Sequence, residues 1–107
     1  MTEQNRTNCP VARALDLIGD RWTLLIIRDL SLDGPRRFSD LAQTMAGSSP
    51  TILSNRLKRL EEAGLIGRRF YSQHPPRAEY FLTDTGKELK PVLRAMRQFG
   101  ETLPELG

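Results

Sequence analysis

Apolar residues between positions 50 and 63 recur with the period of an amphipathic α-helix, and both ends of this segment carry residues that start or stop helices. At about 100° per residue, one face of this helix would carry only leucine, namely Leu53, Leu57 and Leu60. Ser49 is a good N-cap, Pro50 suits the first helical position, and Gly64 can adopt the left-handed conformation that ends a helix. The pattern therefore predicts a helix that packs on the core through its leucines.

The rest of the chain is predicted to be mainly α with one small antiparallel β-hairpin. Helical spacing or capping residues predict a helix after Asn8 or Cys9 that ends at Gly19, one capped by Asp20, one capped by Ser39, and a last one capped by Thr83 that Pro91 kinks or restarts. Residues 36–38 are long enough for a short edge strand, and residues 65–71 and 78–82 resemble two strands joined by residues 72–77. The arrangement is that of a winged helix-turn-helix, with residues 1–8 as a flexible arm and residues 9–107 as one domain.

The polar face of the helix at 50–63 is a candidate surface for the DNA major groove. Thr51, Asn55 and Lys58 lie opposite the leucines, with Ser54 beside them, and offer short hydrogen-bonding groups and one cation. Asn55 is the best candidate for contact with an adenine because its amide both donates and accepts. An ordinary solvated face of a surface helix would carry similar residues, so this pattern alone leaves both interpretations open.

Positive charge is concentrated in the middle of the chain, which favours a double-stranded DNA partner. Ten of the 16 basic residues, but only five of the 13 acidic ones, lie between positions 21 and 77. Arg68, Arg69 and Arg77 would lie on the predicted hairpin, where their guanidinium groups suit phosphate oxygens; solvated strand residues are the alternative.

Composition argues against several other classes of protein. The longest apolar run, residues 24–27, is far shorter than the ~20 residues of a membrane span, so no membrane partner and a cytoplasmic location are expected. A single cysteine and a single histidine cannot supply a structural zinc site. Because no phosphate loop or nucleophile with a base is identifiable from spacing, the sequence predicts neither a cofactor nor an enzyme.

The ordered motifs together resemble those of the HxlR family of bacterial and archaeal transcription regulators, which are winged helix-turn-helix proteins related to MarR. The segments that carry the resemblance are residues 9–10 (CP), 17–26 (LIGDRWTLLI), 34–41 (GPRRFSDL), 53–66 (LSNRLKRLEEAGLI), 74–80 (HPPRAEY) and 82–86 (LTDTG). Two positions depart from the family pattern: Ser48 stands in the turn where an apolar residue is usual, and Phe99 stands where many relatives carry tryptophan.

The resemblance implies a homodimer, formed largely through the first and last helices, that binds a partly palindromic operator and commonly represses transcription. It also draws attention to Cys9, since some family members respond to oxidants or electrophiles through a cysteine in this region; a partly buried packing residue is the alternative. An oxidant or a small-molecule effector is therefore considered. The alternative function is a winged-helix protein-interaction module that does not bind DNA.

Overall fold

Six helices and three strands make up residues 9–105, the part of the chain that the computed structural model describes. They are α1 (Pro10–Ile18), α2 (Thr23–Asp33), β1 (Arg36–Arg37), α3 (Phe38–Thr44), α4 (Pro50–Glu62), β2 (Ile66–Gln73), β3 (Pro76–Leu82), α5 (Asp84–Lys87) and α6 (Lys90–Glu101). The predicted fold class, mainly helical with a β-hairpin wing, is confirmed. The predicted arm at residues 1–8 lies outside the described residues.

Both predicted ends of α4 are confirmed. The Ser49 hydroxyl accepts a hydrogen bond from the backbone N–H of Ile52 at 3.1 Å. Gly64 has a φ of 78°, and the N–H of Leu65 donates to the carbonyl oxygen of Leu60 at 3.0 Å. This left-handed closure turns the chain sharply from α4 into β2.

The predicted start of α3 was wrong by two residues. Phe38, rather than the residue after Ser39, opens the helix, and the carboxylate of Asp40 accepts from the backbone N–H of Arg37 at 3.1 Å. An acidic side chain in the first turn satisfies an orphan donor there and suits the positive end of the helix dipole. Asp40 therefore takes the role that the sequence analysis gave to Ser39.

The core lies where α2, α3 and α4 meet the sheet. Its fully buried side chains come from every one of these elements and include Ile26, Ile27, Leu41, Met45, Leu53, Leu57, Leu60 and Ile66. The predicted leucine face of α4 is thus confirmed. Helix α2 contributes Ile26, Ile27 and Leu30 to this core, although Leu32 near its C-terminal end is 74% exposed.

The three strands form an antiparallel sheet in the order β1-β3-β2. Arg36 pairs with Tyr80 at the β1 edge, and β2 pairs with β3 from Ile66 opposite Leu82 to Gln73 opposite Pro76, with a bulge between Phe70 and Ser72. The hairpin tip is only His74 and Pro75, so the predicted connection over 72–77 was too long. Pro76 can open β3 because its missing N–H is tolerated at the first position of a strand.

Pro91 restarts the last helix, which confirms one of the two predicted outcomes. The helical pattern stops after Lys87 and resumes at Lys90, so that Pro91 lies in the first turn of α6, where a missing donor has no consequence. No residue of α6 or of α1 is buried, and Phe99 and Val11 are each 66% exposed. None of the helices described is long and apolar enough to cross a membrane.

Candidate nucleic-acid interface

Helices α3 and α4, joined by residues 45–49, form the helix-turn-helix. Met45 fills the elbow with a 1% exposed side chain, and the Ser48 hydroxyl donates to the Met45 carbonyl oxygen at 2.8 Å. Gly47 supplies a φ of 97° that few other residues adopt. The polar Ser48 therefore closes the turn by hydrogen bonding, while the neighbouring Met45 provides the apolar packing.

The N-terminal half of α4 presents the predicted polar side chains to solvent. Thr51, Ser54, Asn55 and Lys58 are all exposed, and we call this set the recognition surface. Within residues 9–105, these four side chains form no hydrogen bond or ion pair with another residue. Their donors and acceptors are available for an external partner.

Two arginines hold α4 in place, although neither was predicted from the sequence to have a role. Arg56 lies beside the leucine face, with its Nε 3.1 Å from Oδ1 of Asp20. Arg59 donates from Nη2 to the carbonyl oxygen of Asp16, in the last turn of α1, at 2.6 Å. Helix α4 is thereby connected to both α1 and the segment before α2. Their position at the border between the polar and apolar faces of α4 is the sequence signal that could have identified them.

Asp20 is the anchor of this arrangement. Its carboxylate accepts from the backbone N–H of Trp22 at 2.8 Å and of Thr23 at 3.0 Å, so it caps the region where α2 begins, as predicted. Burial by itself would raise the pKa of Asp20, but hydrogen bonds from the Thr23 hydroxyl and these two N–H groups, together with the ion pair with Arg56, outweigh burial and lower the pKa to about 2. Asp20 therefore stays ionised as the counter-ion of Arg56 near neutral pH.

A buried carboxylate, that of Asp29, connects α2 to the first helix of the helix-turn-helix. The side chain of Asp29 is 6% exposed; it accepts a short hydrogen bond from the Thr44 hydroxyl and is 3.1 Å from Nη2 of Arg28. Because a buried carboxylate is stable only with such partners, Asp29 fixes α3 against α2.

The two adjacent arginines of β2 lie on opposite faces of the wing. Arg68 is opposite Tyr80, on the side that faces α4, and its Nε lies 3.6 Å from Oε2 of Glu61. Arg69 is opposite Glu79 and donates to Oε1 of that residue at 2.5 Å. Both side chains remain substantially exposed, but each already has a carboxylate partner.

Arg77 differs from both because it lies beside the hairpin tip without an intramolecular partner among the described residues. Arg37 of the edge strand is also exposed, and its guanidinium lies 5.8 Å from the ring centre of Tyr71. The strand pairing places Arg37 on the same sheet face as Arg69, since both are opposite Glu79. Sequence reasoning missed Arg37 because only this long-range pairing brings it to the wing.

The fold, the exposed recognition surface and the wing can be compared with known proteins. The sequence pattern that defines the HxlR-like helix-turn-helix proteins matches residues 17–106. The chain belongs to the HxlR-like family. Predicted membership and the predicted fold are both confirmed.

Several relatives of this HxlR-like chain are named as HTH-type transcriptional regulators of uncharacterised role. One from Synechocystis is 41% identical over 92 residues, which span 86% of this chain and 67% of that protein. One from Bacillus subtilis, YybR, is 34% identical over 92% of this chain and 78% of its own length. One from Mycobacterium bovis is 46% identical, and the match spans 85% of this chain but only 56% of that protein. The coarse function, transcriptional regulation through an HTH fold, follows from this kinship.

Solved structures give the same result. The oxidised form of the redox regulator HypR superimposes with a TM-score of 0.83 at 33% identity and covers 92% of this chain and 100% of that one. The reduced form of the regulator YodB from B. subtilis gives a TM-score of 0.75 at 35% identity, covering 92% of this chain and 97% of its own. The HxlR-like chain therefore shares its fold with two experimentally determined regulators.

Cys9, the predicted sensor candidate, occupies the N-cap position of α1. It is half-buried, and its carbonyl oxygen accepts from the backbone N–H of Arg13 at 2.9 Å. Its thiol makes no capping hydrogen bond. This geometry is compatible with a packing role and leaves part of the residue accessible to a reagent.

Proposed function

We propose that this HxlR-like protein is a sequence-specific DNA-binding repressor that acts as a homodimer on a partly palindromic operator. The observation that carries the proposal is the recognition surface, which is exposed, polar and without internal partners at the N-terminal half of the second helix of a helix-turn-helix. That half of such a helix is where side chains reach base edges in the major groove. Thr51, Ser54 and Asn55 would contact bases or nearby phosphates.

The cations around the recognition surface have distinct proposed roles. Lys58 and Arg77 are exposed and have no intramolecular partner among the described residues, so contact with phosphate would break no existing hydrogen bond or ion pair. Arg68 and Arg69 would exchange or share their carboxylate partners when they contact phosphate, and each is a weaker candidate for that reason. Because Arg77 lies beside the hairpin tip, it is the wing residue best placed to contact the backbone beyond the major groove.

The dimer is supported by apolar side chains that the single chain leaves exposed. On α6 these include Met96, Phe99 and, beyond its end, Leu103, which are 53%, 66% and 53% exposed; on α1 they are Val11 and Leu15. A monomer of this size gains from covering such a surface, and a two-fold axis would place two copies of α4 on two half-sites.

The proposal is tested by fluorescence anisotropy on DNA from the region upstream of the gene and on a shuffled duplex of equal length, across a salt series. We expect roughly a thousandfold preference for the native fragment. Asn55→Ala should reduce that preference about tenfold or more, because two half-sites each lose a bidentate base contact. The companion variant Arg77→Ala should weaken both duplexes alike and lower the salt slope by about one per half-site.

Two outcomes would contradict these assignments. If Asn55→Ala weakened specific and shuffled DNA equally, Asn55 would not read bases. If the wild-type protein bound neither duplex with a salt-dependent affinity, a protein-interaction role would be favoured over DNA binding.

A redox response through Cys9 is a second proposal, supported by its accessible position and by the similarity to HypR, which is described as a redox regulator. A mild oxidant would remove two electrons and link the Cys9 thiol to a small thiol or to Cys9 of a second subunit, since the chain has no other cysteine. We expect diamide to change operator affinity at least about fivefold and Cys9→Ser to abolish that change. Identical responses of the two proteins would exclude Cys9 as the sensor.

A further inference from the structure

An open groove of about 700 Å³ is lined by residues of α2 and α6. Its floor is apolar and includes Leu24 and Leu25 of α2 together with Leu93 and Met96 of α6. Four of its lining residues are cations: Arg28 of α2 and Lys90, Arg94 and Arg97 of α6. The volume lies within the range of about 300–1,000 Å³ that is usual for small-molecule sites.

The chain itself neutralises only part of the positive charge around this groove. Arg28 pairs with Asp29, and Arg97 lies 3.7 Å from Glu101. By contrast, Lys90 and Arg94 have no carboxylate partner in the described part of the chain. An apolar floor beside two unpaired cations is complementary to a molecule with an apolar body and a single anionic head.

The groove and the surface proposed for dimerisation share one residue of α6, Met96, and are otherwise distinct. At about 100° per residue, Val92 and Phe99 lie within about 20° of each other around α6. Leu93 lies about 100° from Val92. The three cations of α6 lie further round, at about 140° to 200° from Val92: Lys90, Arg94 and Arg97. Neither Val92 nor Phe99 lines the groove. A partner subunit on the Phe99 side would therefore leave the basic side of α6 open, with Met96 at the border.

We propose that the groove between α2 and α6 binds a small apolar carboxylate, with its carboxylate between Lys90 and Arg94 and its hydrocarbon on Leu25 and Leu93. Asp29 also lines the groove, and its carboxylate holds Thr44 of α3. A bound carboxylate would thus lie one helix away from the helix-turn-helix. The binding itself does not depend on DNA recognition.

The test is an NMR titration of the ¹⁵N-labelled full chain with decanoate, compared with decanol and decylammonium. We expect saturable shifts centred on the amides of Leu25 and Leu93, with decanol at least about tenfold weaker and decylammonium weaker still. The double variant K90E/R94E should bind decanoate at least about tenfold more weakly. K87E reverses one charge on α5, half of the change in the double variant, at a position outside the groove, and should stay within about twofold of wild type.

Three results would overturn the proposal. Equal binding of decanol and decanoate would show that the cations play no part. Shifts centred on Val92 and Phe99 would show that the hydrocarbon coats the exposed face of α6. Groove resonances that move on dilution of the protein alone would show that a second copy of the chain occupies the groove.

Discussion

Replacing Phe99 with aspartate is expected to give a folded monomer that binds operator DNA at least about a hundredfold more weakly than the wild-type dimer, because simultaneous engagement of two half-sites is lost. Phe99 is 66% exposed in the single chain, so little intramolecular packing is removed. In a two-fold interface, the carboxylate that Phe99→Asp introduces would be buried without a partner in each of the two subunits. Sedimentation equilibrium measures the mass, and anisotropy measures the affinity.

Gln98→Asp is the matched control for this prediction. It introduces the same charge one residue away on an exposed position of α6, about 100° around the helix from Phe99. We expect Gln98→Asp to remain dimeric and to bind DNA with nearly unchanged affinity. If Phe99→Asp sedimented as a dimer with wild-type affinity, the apolar face of α6 would not be the dimer interface.

Gly86→Ala is expected to destabilise the fold by about 3 kcal/mol or more, a large part of the stability of a domain of this size. A Cβ at this buried position would lie 2.0 Å from the carbonyl oxygen of Leu65 and 3.1 Å from Cδ2 of Leu82. The carbonyl of Leu65 cannot easily retreat, because it accepts a hydrogen bond from the N–H of Thr83 at 3.1 Å. Urea unfolding followed by the fluorescence of Trp22 measures the loss.

Thr85→Ala serves as the control for Gly86→Ala, since it changes an exposed neighbour in the same short helix. We expect its free energy of unfolding to stay within about 0.5 kcal/mol of wild type. If Gly86→Ala were as stable as Thr85→Ala, α5 would be able to move away from Leu65 without loss of free energy of unfolding. That result would contradict the prediction.

Local chemistry explains why the helix ends were largely predictable from the sequence. The cap at Ser49, the left-handed stop at Gly64 and the restart at Pro91 each depend on residues a few positions apart. The start of α3 was misplaced because Ser39 and Asp40 are both good capping groups. Only the backbone conformation at Arg37 decides between them.

The wing was less predictable because its geometry depends on strand register. Strand alternation alone places Arg68 and Arg69 on opposite faces, but their carboxylate partners, Glu61 and Glu79, depend on how the strands and α4 pack. The bulge after Phe70 changes which side chains share a face, and the pairing of β1 with β3 brings Arg37 to the wing from a distant part of the chain. The exposed positions of α4, by contrast, followed directly from helical periodicity.

The recognition surface is separated from the parts of the molecule that hold it together, and this separation bears on how such proteins diverge. The core leucines hold α4 on one side, and Arg56 and Arg59 hold it at its flank. The four side chains of the recognition surface, in contrast, form no hydrogen bond or ion pair within the described residues: Thr51, Ser54, Asn55 and Lys58. Substitutions at these four positions are nearly free of stability cost. If these four residues read DNA as proposed, a duplicated gene can acquire a new target through a few surface changes, with no compensating change in the core.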